Sequence, residues 1–291
     1  MANLFGFVQF DFAGRLPLAD GRYLAGSGEG GDETVLVLRQ IGARALGQRR
    51  RRRGRSTPTE QGPAPLSLTR ATVIRAAAPF GGQAEAARWL DGAAEAEDTL
   101  EVLAAEAIAI LNHALHAQAV TAANPRGRQL APEQAERALI GYGTGEETAD
   151  GRFTDAREVD LVPRPGSQRR RREEQLRPQE RVAAVLRGRE RLDACETLLL
   201  RARADLDAGR EREAALQLRV GLEALLVELD GAVEDPGHDE DIATLREHRA
   251  QAVDDASAAL TGGLSEEQLG RVEMTLATCE RVLRRRRVLR G

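Results

Sequence analysis

The sequence predicts a mainly helical protein, α+β overall, in which a small N-terminal mixed sheet packs on a long helix and a C-terminal antiparallel four-helix bundle follows. Three observations predict this fold class. Phenylalanine and valine alternate with polar residues between residues 8 and 12, a proline-free, alanine-rich stretch covers residues 83–123, and apolar residues beyond residue 167 recur at helical spacing. We therefore divide the chain into an α+β domain over residues 1–166 and a helical bundle over residues 167–291.

The first two strands are predicted to form a hairpin. Val8, Phe10 and Phe12 are separated by single polar residues, which is typical of a half-buried strand. Asp20-Gly21 predicts a tight turn because glycine tolerates the backbone conformation that the turn requires. Residues 22–24 would then return beside the first strand.

Further strands are predicted along the rest of this domain. The segment 34–41 is apolar on both faces, as a central strand requires, and residues 66–76 can form another strand. Residues 137–142 and 157–162 are predicted strands that flank a glycine-rich turn. Between these strand segments, residues 83–123 predict one long helix that packs on the sheet.

An arginine run marks the segment at about 48–65, which also contains three prolines. This composition predicts a disordered surface loop, since it cannot bury enough apolar surface to offset the entropy of ordering. Guanidinium groups fit phosphate oxygens, so the arginines are candidate nucleic-acid-binding residues. A solvated loop is the alternative, because no aromatic residues interleave to stack bases. The candidates are Arg49, Arg50, Arg51, Arg52, Arg53 and Arg55.

The C-terminal domain contains four amphipathic segments joined by short glycine-containing turns. The last helix is predicted to begin at Ser265, which lies three residues before Gln268 at the spacing of a capping box. The predicted seams are Val185, Leu192, Leu199 and Leu206, then Leu218, Leu222, Leu225 and Leu229, then Ile242, Leu245, Ala252, Ala256 and Ala259, and finally Leu269, Val272, Leu276, Cys279 and Leu283.

Three apolar residues of the bundle, Leu198, Leu216 and Val227, fall off the main seams of their helices. They are the candidate partner-interface residues, since a second apolar face can pair with a partner helix. The alternative is that they complete the core of the monomer.

Metal ligation is not predicted for this chain. His113 and His116 are three residues apart on a helix, but two imidazoles leave a zinc site short of ligands. The acidic residues between 235 and 241 lack the ligand spacing of an EF-hand and suit the start of a helix. Cys195 and Cys279 have no cysteine or histidine at ligand spacing and lie on helical seams, so both are predicted core thiols.

Cofactor binding and catalysis are not predicted either. The glycine-rich segment 141–145 lacks the third glycine and the directly following helix of a dinucleotide-binding loop. The chain contains no G-x-S-x-G motif and no lysine for a phosphate-binding P-loop. We therefore name no cofactor and no catalytic residue.

Residues 204–209, with residues 214–215 and 220–226, resemble the helical hairpin of HEPN-type bundles. The RNase members of that group are expected to have an arginine followed four to six residues later by a histidine. No histidine of this chain has that spacing, since Arg246 and His248 are too close. The resemblance implies a hairpin fold without the nuclease activity, and we assign no family.

Charge and composition bear on nucleic-acid binding and on the cellular location of the protein. The net charge is −4 and the pI is near 5.8, so nucleic-acid binding would have to be local. All 42 basic residues are arginine, which indicates a bacterial genome rich in GC. The N-terminus lacks a basic region before its apolar residues, and no run approaches the roughly 18 apolar residues of a membrane span. We expect a soluble, cytoplasmic protein.

The leading functional hypothesis is a non-enzymatic bacterial protein whose helical bundle mediates protein-protein contacts or self-association. Binding of nucleic acid through Arg49 to Arg55 is one alternative. An enzyme with a site between the domains is another, although the sequence names no residue for it.

Overall fold

The computed structural model describes residues 3–25, 33–41, 67–96, 98–160, 179, 181–229 and 235–290, with side chains up to residue 286. The chain divides into two compact units, Met1–Arg164 (unit 1) and Pro165–Gly291 (unit 2). Unit 1 contains a sheet and helices, and the described part of unit 2 is helical, which confirms the mixed α+β class. The predicted loop at about 48–65, with Arg49 to Arg55, lies outside the described residues.

Unit 1 is built on a six-stranded sheet whose order is β2-β3-β4-β1-β5-β6. All its described pairings are antiparallel, so the prediction of a mixed sheet is wrong. The strands are β1 (Leu4–Ala13), β2 (Gly21–Ala25), β3 (Thr34–Ile41), β4 (Leu68–Arg75), β5 (Ala135–Thr144) and β6 (Asp155–Glu158).

The predicted hairpin of the first two strands is also wrong, because β1 pairs with β4 and β5 while β2 pairs with β3. The physical reason is burial. Phe7 and Phe10 point to opposite faces of β1 and both are buried, which suits a strand with neighbours on both sides. The five residues of β2 are mostly exposed, which suits the edge of the sheet. The strand predicted over 34–41 matches β3.

Two helices cover the first face of the sheet, where the sequence predicted one. They are α1 (Gln83–Glu95) and α2 (Thr99–Thr121). The chain turns between them at Asp98, which has a left-handed backbone with a φ of 63°. This turn lets both helices place residues in one core with β1, among them Leu90 and Leu111. Helical periodicity continues through the turn in the sequence, and for that reason the break was not predicted.

Helix α2 has the length and the mean hydropathy, 1.2, of a membrane span. Six of its residues are buried in unit 1, and they belong to the same apolar cluster as Phe10 and Phe12 of β1. In this structure α2 is therefore a core helix that packs on the sheet.

The second face of the sheet is crossed by residues 145–153, which we call the strap. The strap contains the short helix α3 (Gly145–Ala149) and joins β5 to β6. Its Glu146 accepts two hydrogen bonds from Arg22 of β2, at 3.0 and 2.8 Å. Its Phe153 ring lies 5.6 Å from the Phe7 ring of β1. The strap therefore reaches from one edge of the sheet to the centre.

Residues 141–144 of the glycine-rich segment belong to strand β5 and Gly145 begins α3, so the segment is not a turn between strands, and the expectation that no helix directly follows it is wrong. A methyl group on Gly143 would lie 2.8 Å from Thr148 Oγ1 and 3.1 Å from the Phe153 Cα atom. A methyl group on Gly141 would overlap the backbone of β6. These glycines permit close approach of the strap and of β6, and a phosphate is not needed to explain them.

Unit 2 contains α4 (Ala194–Asp207), α5 (Glu211–Glu228), α6 (Pro236–Thr261) and α7 (Glu266–Arg290). Their buried side chains form one apolar cluster. The antiparallel bundle arrangement of the four helices stays a prediction. The cluster includes Cys195, Leu199, Leu218, Leu222, Leu225, Leu245, Val272, Leu276 and Cys279.

Two of the predicted helix starts in unit 2 are confirmed. Ser265 and Gln268 form the predicted capping box, and Asp235 accepts a hydrogen bond from the His238 amide at the start of α6. The seam predicted to begin at Val185 is wrong in its first part, since α4 begins only at Ala194 and Leu192 is exposed. Gly188, with a φ of 69°, ends the preceding helical stretch and redirects the chain.

Candidate functional site

An apolar stripe on α5 is the clearest candidate site in unit 2. It consists of Leu216, Val220, Ala224 and Val227, whose spacing places them on one side of the helix. Val220 is 53% exposed and Val227 is 79% exposed, whereas Leu216 and Ala224 are half-buried. A contiguous exposed apolar patch can mark a surface that contacts another protein, whereas single exposed apolar residues are common.

Leu198 of α4 lies beside Gly221 of α5, which is not a residue of the stripe. A methyl group on Gly221 of α5 would lie 3.3 Å from Leu198 Cβ, so the glycine permits α4 to approach α5 closely there. Leu198 itself is half-buried. The core of unit 2 lies on the other side of α5, where Leu222 and Leu225 are buried.

The three predicted interface residues differ in exposure. Val227 is exposed, but Leu198 and Leu216 are half-buried, and Leu216 also packs against the core of unit 2. Sequence reasoning missed Val220, although it lies four residues after Leu216 and seven before Val227, at the spacing of one helix face. A role for these residues in an interface stays a prediction.

Two charged residues flank the apolar stripe. Glu223 of α5 accepts a hydrogen bond from Arg249 of α6 at 2.7 Å. Arg219 is exposed and forms no ion pair within the described part of the chain. Its guanidinium is therefore available to a carboxylate from outside unit 2.

The two thiols of unit 2 are unsuited to nucleophilic chemistry. Cys195 and Cys279 are both free and both buried in the core. Desolvation raises the pKa of each thiol to about 12. Because the thiolate is the reactive form, both groups are inert near neutral pH.

Charged side chains tie the ends of the helices together. The Glu228 carboxylate of α5 accepts hydrogen bonds from the Ala194 and Cys195 amides at the start of α4, at 3.1 and 3.0 Å. Desolvation opposes the charge of Glu228, but these hydrogen bonds outweigh it and lower the pKa of the carboxyl. Arg286 of α7, which is almost fully buried, pairs with Asp193. Arg286 belongs to a run of four arginines, Arg284 to Arg287, and this ion pair gives it a structural role.

No group of three potential metal ligands occurs in the ranges that the structure describes. His113 is exposed and His116 is half-buried on α2. His238 is buried near the start of α6, where its Nε2 atom lies 3.4 Å from the Leu229 carbonyl oxygen.

A cavity of about 150 Å³ lies between α2 and the sheet of unit 1. Val8, Val73 and Leu103 contribute its apolar lining, and Arg75 and Glu106 contribute charged groups. The cavity is smaller than the roughly 300 Å³ at which small-molecule pockets usually begin. We assign it no ligand.

Comparison with protein-family models, with curated proteins and with solved structures found no match. The function is therefore inferred from the residues and contacts of this chain alone.

Proposed function

We propose that the protein acts by protein contact rather than by catalysis, and that unit 2 self-associates through the apolar stripe of α5. The single observation that supports this proposal is the exposure of Val220 and Val227 on the same helix face. We further propose that the four helices of unit 2 form an antiparallel bundle and that the protein works in the cytoplasm, where its buried thiols stay reduced.

The apolar stripe is self-complementary, which favours a second copy of the chain as the partner. Two α5 helices can pack antiparallel about a two-fold axis near residues 221 and 222. Leu216 then faces Val227 of the partner subunit, and Val220 faces Ala224 of the partner subunit. In this register Arg219 also lies beside Glu223 of the partner subunit, so opposite charges meet at the edge of the contact.

The proposed dimer should be weak. The stripe extends from residue 216 to residue 227 on one helix, a length of about 16 Å at the helical rise. A contact between two such faces falls below the roughly 1,200 Å² of a standard protein interface. We therefore expect dissociation constants on the order of micromolar rather than nanomolar.

Cysteine cross-linking tests this contact. In the full-length Val220→Cys variant, a short bismaleimide should link two chains, because the two-fold arrangement brings position 220 close to its own copy. The native Cys195 and Cys279 are buried with raised pKa values, so the reagent should react only at the new thiol. We expect dimer yield to rise with protein concentration in the micromolar range.

The matched control is Met274→Cys on α7, because Met274 is also 53% exposed. It should react with the maleimide and give at least several-fold less dimer. Equal yields from the two variants would indicate random collisions and contradict a contact through α5.

A further inference from the structure

A row of arginines crosses the second face of the sheet in unit 1. Strand register places Arg39 of β3 opposite Arg70 of β4, Arg70 opposite Asp11 of β1, and Asp11 opposite Arg137 of β5. Adjacent strands lie roughly 4.8 Å apart, so the Cα atoms of these four residues span about 14 Å across four strands. We call Arg39, Arg70 and Arg137 the arginine row.

The nearby carboxylates accept hydrogen bonds from only a few of the N–H groups of the three guanidinium groups. Arg70 donates two hydrogen bonds to Asp11, at 2.7 and 2.8 Å, and is fixed in place by them. Arg39 donates one hydrogen bond to Asp150 of the strap. Arg137 lies 3.6 Å from Glu158, which is too long for a hydrogen bond. Each guanidinium has five N–H donors, and within the described residues Arg39 uses one of them in a hydrogen bond and Arg137 uses none, so the others can bind an added anion.

Arg39 and Arg70 lie directly opposite each other on the neighbouring strands β3 and β4. Like charges directly opposite each other on neighbouring strands destabilise a sheet. Arg39 and Arg137 are about half exposed, so an anion can reach both of them from solvent. Asp150 and Asp11 already offset the repulsion between Arg39 and Arg70, so an added anion would gain the unused N–H donors of Arg39 and Arg137.

An exposed aromatic ring lies on the same face as the arginine row. Phe153 of the strap packs on Phe7, yet its side chain remains exposed. Two residues earlier, Gly151 lies against Arg70, since a methyl group on it would come within 2.6 Å of the Arg70 Nη1 atom. Arginines and an exposed aromatic ring are the two elements that bind the backbone and the bases of a single strand.

We propose that this face of unit 1 binds single-stranded nucleic acid. Phosphates contact Arg39 and Arg137, which lie on either side of the Arg70–Asp11 ion pair, and a base stacks on Phe153. This site is separate from the apolar stripe of unit 2 and does not depend on self-association. It also uses described residues only and needs no contribution from Arg49 to Arg55.

Fluorescence anisotropy of a labelled 20-nucleotide poly(U) RNA, titrated with the full-length protein at 50 mM and 200 mM salt, tests the proposal. We expect binding at low salt that weakens steeply at high salt. The double variant Arg39→Gln/Arg137→Gln should bind about 10-fold or more weakly, and its salt dependence should fall by the equivalent of about one to two phosphates. Phe153→Ser should weaken binding about 5-fold or more, because it removes a stacking surface.

The matched control is Arg157→Gln. Arg157 has the same kind of exposed ion pairs but belongs to the opposite face of the sheet, where it contacts Asp91 of α1. It should leave the affinity for RNA unchanged, and circular dichroism should show that all variants stay folded.

Absence of binding at 50 mM salt, or unchanged affinity in the double variant, would overturn the proposal. If Phe153→Ser has no effect and pyrophosphate displaces the RNA at equal phosphate concentration, the row is a simple phosphate site and the nucleic-acid assignment is wrong.

Discussion

Replacing Gly141 by alanine is expected to lower the free energy of unfolding of unit 1 by about 2 to 3 kcal/mol. The added methyl group would overlap the Asp155 carbonyl oxygen and would lie 2.8 Å from the Ala156 Cα atom. Both obstacles are backbone atoms of β6, which cannot move aside without breaking the pairing of β5 with β6. The strap would also lose its attachment at this edge of the sheet.

Trp89 provides a specific probe of this change, since it is the single tryptophan of the chain and lies on α1 in unit 1. Its fluorescence in urea titrations should report a lower midpoint for Gly141→Ala. The matched control is Gly92→Ala on α1, where the added methyl group would meet no described atom within 4 Å beyond the adjacent residues and the backbone of its own helix. That variant should be slightly more stable, by up to about 1 kcal/mol, because alanine favours the helix. Equal midpoints for wild type and Gly141→Ala would show that β6 does not constrain β5.

Replacing Asp193 by alanine is expected to lower the free energy of unfolding of unit 2 by about 2 to 3 kcal/mol. Asp193 pairs with Arg286, whose side chain is only 8% exposed. Without its partner the buried guanidinium remains charged, because arginine does not deprotonate in proteins. Glu228 lies near enough to Arg286 to offset part of the cost, so we expect less than the full penalty of an isolated buried charge.

The two native thiols report on unit 2 because both are buried there. Their rate of maleimide labelling in increasing urea should rise at a lower urea concentration in Asp193→Ala than in wild type. Asp207→Ala, at the other end of α4, is the matched control, since Asp207 is 65% exposed and lies 3.6 Å from Arg203. It should change the midpoint little. Adding Arg286→Met to Asp193→Ala should recover part of the loss, and a failure to do so would contradict the buried-charge explanation.

Local patterns predicted those parts of the fold that depend on neighbouring residues. The bounds of β3 followed from an apolar run, the buried seam of α5 from helical periodicity, and the cap at Ser265 from a three-residue spacing. The break between α1 and α2 was missed because the residues on both sides continue a helical pattern. The start of α4 was missed because the effect of Gly188 depends on its left-handed backbone.

The pairing of strands and the sites that depend on it required the structure. Arg39, Arg70 and Arg137 are far apart in sequence, and only the register of four strands brings them into one row. Asp11 gave no sequence signal beyond a polar position in a strand, yet it orients Arg70. Spacing alone places the residues of the α5 stripe on one helix face. Their exposure could not be predicted, because it depends on which faces of α5 the other helices cover.

Sedimentation velocity of the full-length protein over a range of micromolar concentrations tests the central claim, which is self-association through α5, most directly. Wild type should shift from monomer towards dimer as the concentration rises. Val220→Glu should remain monomeric over the same range, because two buried carboxylates would meet across the proposed two-fold axis. A wild-type protein that stays monomeric throughout, or a Val220→Glu variant that dimerises as wild type does, would contradict the account.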